Sequence, residues 1–406
     1  MSAWLSIVGI GEGGPDDLSG PARTLVETAE ILVGGERHLA MVSNENVRKL
    51  RWQFPLDGIV KKINAARGQR VVVLATGDPM SFGIGSTLAR HFSASDLHIV
   101  PSPGAFSLAA SRMAWPLHNC TCLTLHGRPL ELLHHHMLPD QRLLILSHDG
   151  TTPGKVATTL CDAGFSLSHL TVFENMGAKN AATRKGAAEN WNETDIESLN
   201  TIAVECIAGP DACYRSPVAG LPDDAFVHDG QLTKRIVRAA TLSALAPLPG
   251  QHLWDLGAGC GSVAIEWLRA AQDVQGQGAR ASAVERDPSR CAMIAQNANR
   301  LGTPFLNIIT AENEHAMREI DDPDTVFLGG GISDGSLIDA VWDRLKSNGR
   351  LVANVVTLEG ERALLEAHAR LGGDLSRIAV SHADPVGSLT GWRPAMPVTQ
   401  WSIVKS

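Results

Sequence analysis

The chain has 406 residues, of which 44% are hydrophobic and 19% are charged. This length suggests two or three domains, and the composition provides enough apolar side chains for buried cores. Lysine and arginine number 35 against 43 aspartate and glutamate residues, which gives a net charge of -8. That balance argues against general binding to nucleic acid or to an anionic membrane, since both need a basic face.

No apolar run reaches the roughly 20 residues of a membrane span, and the first residues lack the pattern of a signal peptide. The seven cysteines are scattered and contain no CxxC pair, so neither a disulfide framework nor a structural zinc site is expected. Residues His134, His135 and His136 are expected to be mostly exposed, because adjacent helical side chains point in different directions and cannot share one metal. We therefore expect a metal-free protein of the cytoplasm.

The N-terminal half alternates strand-like and helix-like segments, which is typical of α/β domains. A buried strand that ends in a glycine turn is predicted over residues 4–11, and a helix is predicted over 18–29. Further strands are predicted at 71–75, 98–100, 120–122, 143–146, 170–173 and 201–207. We expect this domain to span residues 1–207.

Residues 208–221 are rich in glycine, proline and aspartate and are predicted to form an inter-domain linker. A second α/β pattern occupies residues 222–406, with helices predicted at 232–245 and 261–271. Its strands are predicted at 251–256, 280–285, 306–309, 325–329, 350–356, 378–381 and 398–404. The repetition of strand, glycine-rich turn and helix indicates a doubly wound, Rossmann-like sheet.

A glycine-rich loop joins the strand at 251–256 to the helix that follows it. Glycine lets a ligand approach the backbone, and the helix N-terminus behind the loop offers unpaired N–H groups. Ser262 stands where a dinucleotide fingerprint has its last glycine, and residues 255–266 contain no lysine or arginine to bind a pyrophosphate. Glu285, at the end of the next predicted strand, can accept both hydroxyls of a ribose. The predicted cofactor contacts of the loop itself are Asp255, Gly257, Ala258, Gly259, Cys260 and Gly261.

The pattern Asp-x-Gly-x-Gly-x-Gly of this loop resembles the first motif of class I S-adenosylmethionine methyltransferases. Two further segments, residues 220–238 and 323–331, are similar to the decarboxylating methyltransferases of the cobalamin pathway. This resemblance covers residues 220 to about 405 and implies S-adenosylmethionine as the cofactor. Thr233 is also a predicted helix N-cap. The contacts that the resemblance implies are Thr233 and Asn313 for the cofactor, and Gly330 and Gly331 for the substrate.

The N-terminal half resembles a different family, the tetrapyrrole methylases, from about residue 3 to residue 207. Residues 8–18 are similar to the opening glycine loop of that family, and residues 76–83 are similar to its Gly-Asp-Pro-x-x-aromatic-Gly signature. Phe106 and Ser107 stand where the family carries a pair of serines. The resemblance implies two α/β subdomains with the cofactor in the cleft between them. The contacts that it implies are Gly77, Asp78, Ser81, Phe106 and Ser107 for the cofactor, and Gly11 for the substrate.

Fused in this order, the two resemblances are those of the bifunctional enzymes of corrin synthesis that methylate C5 and C15 of a precorrin. The resemblance implies two methyl transfers to precorrin-6B (precorrin-6Y) and decarboxylation of its ring-C (C12) acetate to give precorrin-8. It assigns C5 to the N-terminal domain, and C15 with the decarboxylation to the C-terminal domain. Both parent families form oligomers, so a homo-oligomer is expected by analogy.

A substrate with many carboxylates should meet arginine, lysine or histidine at the mouths of the two sites. The candidates are Arg37, His38, His126 and Arg128 in the N-terminal half, and Lys234, Arg235 and Arg238 in the C-terminal half. The conjugated substrate can itself serve as the electron sink for decarboxylation. We therefore expect neither a Ser-His-Asp triad nor a catalytic metal.

Three other functions remain open from the sequence. The chain could methylate another acceptor, such as RNA or a protein, although its acidic balance disfavours nucleic acid. It could be a corrinoid- or nucleotide-binding protein without activity, but the two donor-loop signatures argue against that. A nicotinamide oxidoreductase is disfavoured by Ser262.

Overall fold

A computed structural model describes residues 3–44, 46–52, 55–271, 278–332 and 335–406. The chain divides into two compact units. The N-terminal unit comprises the residues up to Arg128 together with Pro139–Ala212, and the C-terminal unit comprises Pro129–Leu138 together with Cys213–Ser406. The division after Ala212 falls inside the predicted linker. Within the described ranges, no helix is both long and apolar enough to cross a membrane.

The first sheet of the N-terminal unit has five parallel strands, which are β1 (Leu5–Ile10), β2 (Ile31–Gly34), β3 (Arg48–Arg51), β4 (Val71–Thr76) and β5 (Leu97–Val100). Their order is β3-β2-β4-β1-β5. The accompanying helices are α1 (Gly20–Glu27), α2 (Glu36–Met41), α3 (Asp57–Ala65) and α4 (Ile84–Leu88). The strands β1 and β4 are almost unbroken apolar runs because apolar clusters cover both faces of this sheet.

The second sheet of this unit contains β6 (Cys120–Thr124), β7 (Arg142–Leu146), β8 (His169–Glu174), β9 (Ala182–Ala187) and β10 (Asn200–Glu205). Their order is β6-β7-β10-β8-β9, in which β6 and β7 run parallel and the other pairs run antiparallel. Its helices are α5 (Ala105–Met113) and α6 (Thr152–Asp162). The two sheets with their helices confirm the predicted pair of α/β subdomains.

The C-terminal unit has the strands β11 (His252–Leu256), β12 (Arg280–Glu285), β13 (Asn307–Thr310), β14 (Thr325–Leu328), β15 (Arg350–Val355), β16 (Asp374–Ile378), β17 (Ser381–Val386), β18 (Leu389–Pro394) and β19 (Val398–Val404). One sheet has the order β13-β12-β11-β14-β15-β19-β16, while β17 and β18 form a separate hairpin. The strand β19 is antiparallel to both of its neighbours. The helices are α7 (Arg235–Leu245), α8 (Ser262–Ala271), α9 (Pro288–Arg300), α10 (Asn313–Ala316), α11 (Ser336–Arg344) and α12 (Leu358–Leu371).

Apolar clusters cover both faces of this seven-stranded sheet, as expected for a doubly wound domain. The strand order reverses between β11 and β14, which makes the crevice at their carboxyl ends the expected ligand site. The predicted Rossmann-like fold of the C-terminal domain is thereby confirmed.

Two predicted elements of this unit differ in the structure. The helix predicted from residue 232 begins at Arg235, with Lys234 as its N-cap. The strand predicted at 378–381 is wrong, because β16 ends at Ile378, which pairs with Val398 at the start of β19. Beyond that register the chain leaves the sheet and forms the hairpin β17–β18, which the sequence analysis did not predict.

The three consecutive histidines are half-buried, so the expectation that they are mostly exposed was wrong. They lie in or beside a short 3-10 helix, Leu130–His135, within a segment that groups with the C-terminal unit. Burial lowers the pKa of His135 to about 3, so its ring is neutral. The sequence order, which places this segment among the N-terminal strands, gave no sign of that grouping.

Candidate functional site

A cavity of about 1230 Å³ lies at the carboxyl ends of the parallel strands in the C-terminal unit. The residues that line it follow β11, β12, β13, β14 and β15, so it surrounds the switch point of the sheet. The predicted residues that line it are Thr233, Lys234, Arg235, Gly257, Ala258, Gly259, Glu285, Asn313, Gly330 and Gly331. The predicted residues that lie outside its lining are Arg238, Asp255, Cys260 and Gly261.

The glycine loop after β11 is packed too tightly for side chains. Gly257, Gly259 and Gly261 all have positive φ angles, of 75°, 59° and 79°. A Cβ on Gly257 would lie 3.1 Å from the backbone nitrogen of Gly330, and one on Gly261 would lie 2.8 Å from Ile294 Cγ2 in α9. The loop is therefore pressed against the end of β14 on one side and against α9 on the other.

Glu285 connects the glycine loop to the next strand. Its Oε2 accepts a hydrogen bond from the N–H of Gly259 at 3.0 Å, and its Oε1 accepts one from the N–H of Asp287 at 3.1 Å. The residue is only 6% exposed, yet it lines the cavity. An ionised carboxylate has about four lone-pair sites, so both oxygens can still accept ribose hydroxyls. The pair of a bare glycine loop and a fixed carboxylate suits an adenosyl cofactor.

Asp255 and Cys260 lie behind the loop instead of facing the cavity. Asp255 is 1% exposed, and its Oδ2 accepts the N–H of Ala264 at 3.0 Å. Burial, with a smaller contribution from the neighbouring carboxylate of Glu285, raises the pKa of Asp255 to about 7. The side chain of Cys260 belongs to the apolar core. Both residues therefore support the loop, and the prediction that they contact the cofactor directly is not supported.

Arg238 is fully buried, so it does not meet the substrate, contrary to the prediction. Its Nε donates to Glu266 Oε1 at 2.6 Å, and its Nη1 donates to Asp223 Oδ1 at 3.1 Å. The guanidinium also donates to carbonyl oxygens near both ends of the segment 220–234. Much of that segment lines the cavity. Arg238 thus fastens one wall of the site to α7 and α8.

The start of α7 is capped by a distant residue. Thr233 is not the N-cap as predicted, and the cap residue Lys234 makes no side-chain capping bond. Instead, Asp223 Oδ1 accepts the N–H of Arg235 at 3.0 Å. Arg235 also donates from Nε to the carbonyl oxygen of Gly220 at 2.9 Å. The Lys234 ammonium is exposed in the cavity and has no ion-pair partner in the described part of the chain.

In the N-terminal unit, the loops after β1, β4 and β5 meet at one edge of the sheet. The N–H of Gly77 donates to the carbonyl oxygen of Ile10 at 3.0 Å, and the Gly77 carbonyl accepts the N–H of Ser102 at 3.3 Å. A Cβ on Gly9 would lie 2.0 Å from that carbonyl oxygen. This arrangement brings the predicted contacts Gly11, Gly77, Asp78 and Ser81 to the same edge.

The signature loop contacts Phe106 in α5 and Arg128 in the loop after β6. Phe82 has a positive φ of 55°, and its ring packs edge-on against Phe106 at 5.8 Å between centroids. The guanidinium carbon of Arg128 lies 5.6 Å from the centroid of the Phe82 ring. Phe106 is buried in the core of the second sheet, so its predicted cofactor contact is limited to its backbone, whereas Ser107 is exposed. Asp78 accepts the N–H of Met80 at 2.8 Å, which closes the turn.

Of the predicted cations at this edge, two behave differently from expectation. Arg37 pairs with Glu12 at 3.0 Å and donates to Thr76 Oγ1 at 3.3 Å, so it is already partly neutralised. Burial lowers the pKa of His38 to about 4, with a further contribution from Arg37. His38 is therefore neutral at physiological pH and is not the carboxylate-binding cation that was predicted.

His126 is exposed, as its predicted role requires. Its ring centroid lies 5.4 Å from that of His148, a residue that the sequence analysis missed. The Nδ1 of His148 accepts the N–H of Gly127 at 3.3 Å, so the other ring nitrogen carries the proton in the neutral form. The two rings and Arg128 place three nitrogen-bearing side chains on one surface loop and its neighbour.

Sequence reasoning also missed several residues of the C-terminal cavity. They share no motif and come from the ends of elements far apart in the chain, namely Asp223, Gln231, Arg286, Arg290, Asn354, Val356, Ile378, Val380, His382 and Met396. Asn354 is held by two side-chain hydrogen bonds, since its Nδ2 donates to Thr241 Oγ1 and its Oδ1 accepts from Gln400. The available signal was position alone, because Asn354 and Val356 lie at the carboxyl end of a predicted strand.

Family models match both halves of the chain. Residues 5–191 match the family described as tetrapyrrole (corrin/porphyrin) methylases. Residues 224–405 match the family described as a precorrin methyltransferase domain. Together with the two glycine-loop sites, these matches define the chain as a fusion of two methyltransferase domains.

Individual relatives narrow the class. A Sinorhizobium sp. protein named precorrin-6Y C(5,15)-methyltransferase (decarboxylating) is 43% identical over 406 residues, which cover 100% of this chain and 97% of that protein. The cobalt-precorrin-7 C(5)-methyltransferase of Salmonella typhimurium is 26% identical over 177 residues, or 43% of this chain and 87% of that protein. The crystal structure of the C-terminal domain of precorrin-6Y C5,15-methyltransferase from Rhodobacter capsulatus is 41% identical and covers 47% of this chain and 100% of its own, with a TM-score of 0.44. The chain belongs to the family of precorrin-6Y C5,15-methyltransferases (decarboxylating).

Replacing Glu285 with glutamine should weaken cofactor binding at the C-terminal site. The amide would turn one acceptor into a donor that faces the N–H of Gly259 or Asp287 and would lose the charge that favours ribose hydroxyls. We expect the Kd for S-adenosylhomocysteine at this site to rise about tenfold to hundredfold, from hydrogen bonds to a charged group. Isothermal titration calorimetry measures this, with Glu366→Gln on the exposed side of α12 as the control. An unchanged Kd would remove Glu285 from the cofactor site.

Replacing Arg238 with methionine should destabilise the C-terminal unit. The substitution leaves Glu266, which is 2% exposed, without its cationic partner, and breaking a buried pair in this way costs about 3–5 kcal/mol. Urea denaturation measures the change in the free energy of unfolding. Arg362→Met is the matched control, because its pair with Glu366 is 68% exposed on both sides and is worth about 1 kcal/mol or less. Equal losses in the two variants would contradict this role for Arg238.

The raised pKa of Asp255 predicts a pH-dependent stability. The folded carboxyl titrates at about 7 instead of its ordinary 3.8, so between these values the folded state binds more protons than the unfolded state. The free energy of unfolding attributable to this group therefore falls as pH rises from about 4 to about 7. The side chain of the Asp255→Asn variant cannot ionise. The free energy of unfolding of this variant, relative to that of the unaltered, cofactor-free protein, should therefore be higher at about pH 8 than at about pH 5. Urea denaturation at the two pH values tests this, and a constant difference would contradict it.

Proposed function

We propose that the chain transfers methyl groups from S-adenosylmethionine to C5 and C15 of precorrin-6B (precorrin-6Y) and decarboxylates its ring-C acetate, giving precorrin-8 in cobalamin biosynthesis. The full-length match, at 43% identity, to a protein named for this activity carries the proposal. The two sites support it, since each has a glycine loop at the carboxyl edge of parallel strands.

The two methyl transfers are assigned to different units. The N-terminal unit serves C5, and the C-terminal unit serves C15 together with the decarboxylation. This division is supported by the separate family matches over residues 5–191 and 224–405. It is also supported by the existence of a shorter relative that is named for methylation of C5 alone.

S-adenosylmethionine supplies a methyl group that is already activated as a sulfonium. In each transfer the carbon–sulfur bond breaks, a bond forms between the methyl carbon and a bridging carbon of the ring, and the proton of that carbon leaves. In the decarboxylation the bond to the carboxylate breaks, its electron pair enters the conjugated ring system, CO₂ leaves, and a proton takes its place. The chain's contribution is to align the reactants and to exclude water.

Named side chains can perform this alignment. In the C-terminal site Glu285 accepts the ribose hydroxyls, while the backbone at Gly257 and Gly259 allows close approach of the rest of the cofactor. Lys234 offers its exposed ammonium to a substrate carboxylate. In the N-terminal unit, Arg128 holds a cation over the signature loop for the same purpose.

The proposal extends to the setting of the enzyme, a cytoplasmic homo-oligomer that binds no nucleic acid. The seven free cysteines suit a reducing compartment, and the net charge of -8 disfavours nucleic acid. The hairpin β17–β18 exposes Leu389 at 76% and Trp392 at 78%, and an interface between copies would cover such a patch.

Mass spectrometry of a reaction with the full chain, S-adenosylmethionine and precorrin-6B tests the function. We expect a product that has gained two methyl groups and lost one CO₂. Glu285→Gln should slow one of the two methyl transfers when S-adenosylmethionine is limiting. Gly77→Val, which would force the loops after β4 and β5 apart, should give a product with one methyl group and without the CO₂. An unchanged precorrin in the presence of bound cofactor would point to another methyl acceptor. If Glu285→Gln introduced both methyl groups at the rate of the unaltered chain under limiting S-adenosylmethionine, the assignment of one transfer to the C-terminal unit would be refuted.

A further inference from the structure

The cavity of the C-terminal unit is built from two halves of the sheet. Gly257 and Gly259 follow β11, Glu285 ends β12, and Asn313 follows β13, so the cofactor residues all lie on one side of β14. On the other side of β14, lining residues come from β15, β19 and β16, which lie in that order, and from the residues next to these strands. Residues 222–224 and 231–237 supply a further part of the lining. The strand β19 is antiparallel, so its first residues reach the same edge as the last residues of its neighbours. The cavity therefore extends well past the cofactor residues along the sheet edge.

An open, largely apolar part of the cavity is formed by side chains from the half over β15, β19 and β16, together with Ile236 from α7. The polar side chains of Asn354 and His382 lie beside it in the lining. We call the apolar part the apolar wall, and its residues are Ile236, Val356, Ile378, Val380 and Met396. Three of them are strongly exposed for large hydrophobic side chains, with 50% for Ile236, 52% for Val356 and 70% for Met396. Exposed apolar side chains that gather inside a concave site mark a binding surface.

The size of the cavity calls for a second ligand beside the cofactor. Its volume of about 1230 Å³ exceeds the roughly 300–1,000 Å³ of a pocket for one drug-sized molecule. Gly330, two residues after β14, lies between the two halves of the cavity. Apart from its chain neighbours, no atom of the described residues lies within 4 Å of the place where its Cβ would be. The open space above Gly330 is thus available for reacting groups that meet between cofactor and wall.

Charge identifies the kind of ligand that fits the wall. Lys234 and His382 line the same cavity as the wall, and each is two residues from a wall residue in the chain, Ile236 and Val380 respectively. Of the acidic lining residues, Glu285 ends β12 and Glu312 follows β13, so both lie on the cofactor side. Asp223, which caps the start of α7 near Lys234, is already paired with Arg238. A flat apolar ring with carboxylates on its rim is complementary to this arrangement.

We propose that the apolar wall binds one face of the macrocycle of a tetrapyrrole substrate, with Lys234 and His382 meeting its peripheral carboxylates. The inference rests on the proposed function and adds to it the residues that select the substrate. The ring lies over β15, β19 and β16, and its reacting edge points across Gly330 toward the cofactor half. The wall is a specificity device, because it touches the substrate and leaves the cofactor residues untouched.

The test uses Met396→Ser and Val356→Ser in the full chain, with Leu358→Ser as the matched control. Leu358 is 82% exposed, is close to Val356 in the chain and does not line the cavity. In both wall variants the KM for precorrin in the CO₂-releasing step should rise about tenfold, the usual scale for losing a small apolar contact in a binding pocket. In the wall variants, the Kd for S-adenosylhomocysteine should change less than about twofold. In the control variant, the KM for precorrin should also change less than about twofold. Wall variants that behave like Leu358→Ser would overturn the proposal.

Three further measurements test this inference and separate it from the proposed function. Gly330→Ala should fold and bind S-adenosylhomocysteine normally yet release CO₂ more slowly, because its methyl group enters the space between cofactor and wall. An unaffected Gly330→Ala rate would place the reacting edge elsewhere and overturn the assignment. If the unaltered chain does not convert precorrin-6B, its binding of that tetrapyrrole can still be measured by absorbance titration. Binding that Met396→Ser weakens would support the apolar wall even though the proposed reaction fails. Absence of binding would overturn both the apolar wall and the proposed function. Light scattering of Met396→Ser completes the set, because a change in subunit assembly without a change in KM would assign that side chain to an interface between copies.

Discussion

In both units, the main chain at the carboxyl ends of neighbouring parallel strands is packed so closely that a side chain would force it to shift. A Cβ on Gly9 would lie 2.0 Å from the carbonyl oxygen of Gly77, and a Cβ on Gly257 would lie 3.1 Å from the backbone nitrogen of Gly330. These contacts fix how each loop crosses the edge of its sheet and leave main-chain groups, instead of side chains, at the surface that a cofactor meets. Everything else in each site, from Glu285 to the signature loop, is arranged around these crossings.

The electrostatics of the C-terminal site depend on which charged side chains already form ion pairs within the protein. A sequence with net charge -8 must still bind an acidic substrate, and it carries several arginines near the site. Arg238 forms ion pairs with Glu266 and Asp223, and Arg290 forms one with Asp229. Since paired cations have little attraction left for a ligand, the exposed ammonium of Lys234 gains weight out of proportion to its single charge. The buried pair is better understood as the fastening of the cavity wall than as part of the binding chemistry.

Features set by short stretches of chain were predictable from the sequence. The glycine loop after β11 and Glu285 after β12 each depend on a strand end and the few residues next to it. The burial and the hydrogen-bond partners of Arg238 and His38 were not predictable, because these partners are distant in the chain. Glu266 is 28 residues from Arg238, and Thr76 is 38 residues from His38. The same holds for Phe106, whose environment includes Phe173 and Ala203 from distant strands. The hairpin β17–β18 was missed because the end of β16 is decided by the register of β19, twenty residues further on.

The placement of β19 also has a consequence for the order of assembly. Among the described strands, β16 hydrogen-bonds to β19 and to no other, so it joins the sheet through a strand that follows it in the chain. The strands β11 to β15 are parallel neighbours that can pair while synthesis continues. The cofactor half of the cavity can thus be complete on a nascent chain, whereas Ile378, Val380 and Met396 take their places only after residues 398–404 have emerged and inserted between β15 and β16. A ribosome-bound intermediate would hold a finished nucleotide crevice beside an unfinished apolar surface, which is the part of this molecule most exposed to wrong association before release.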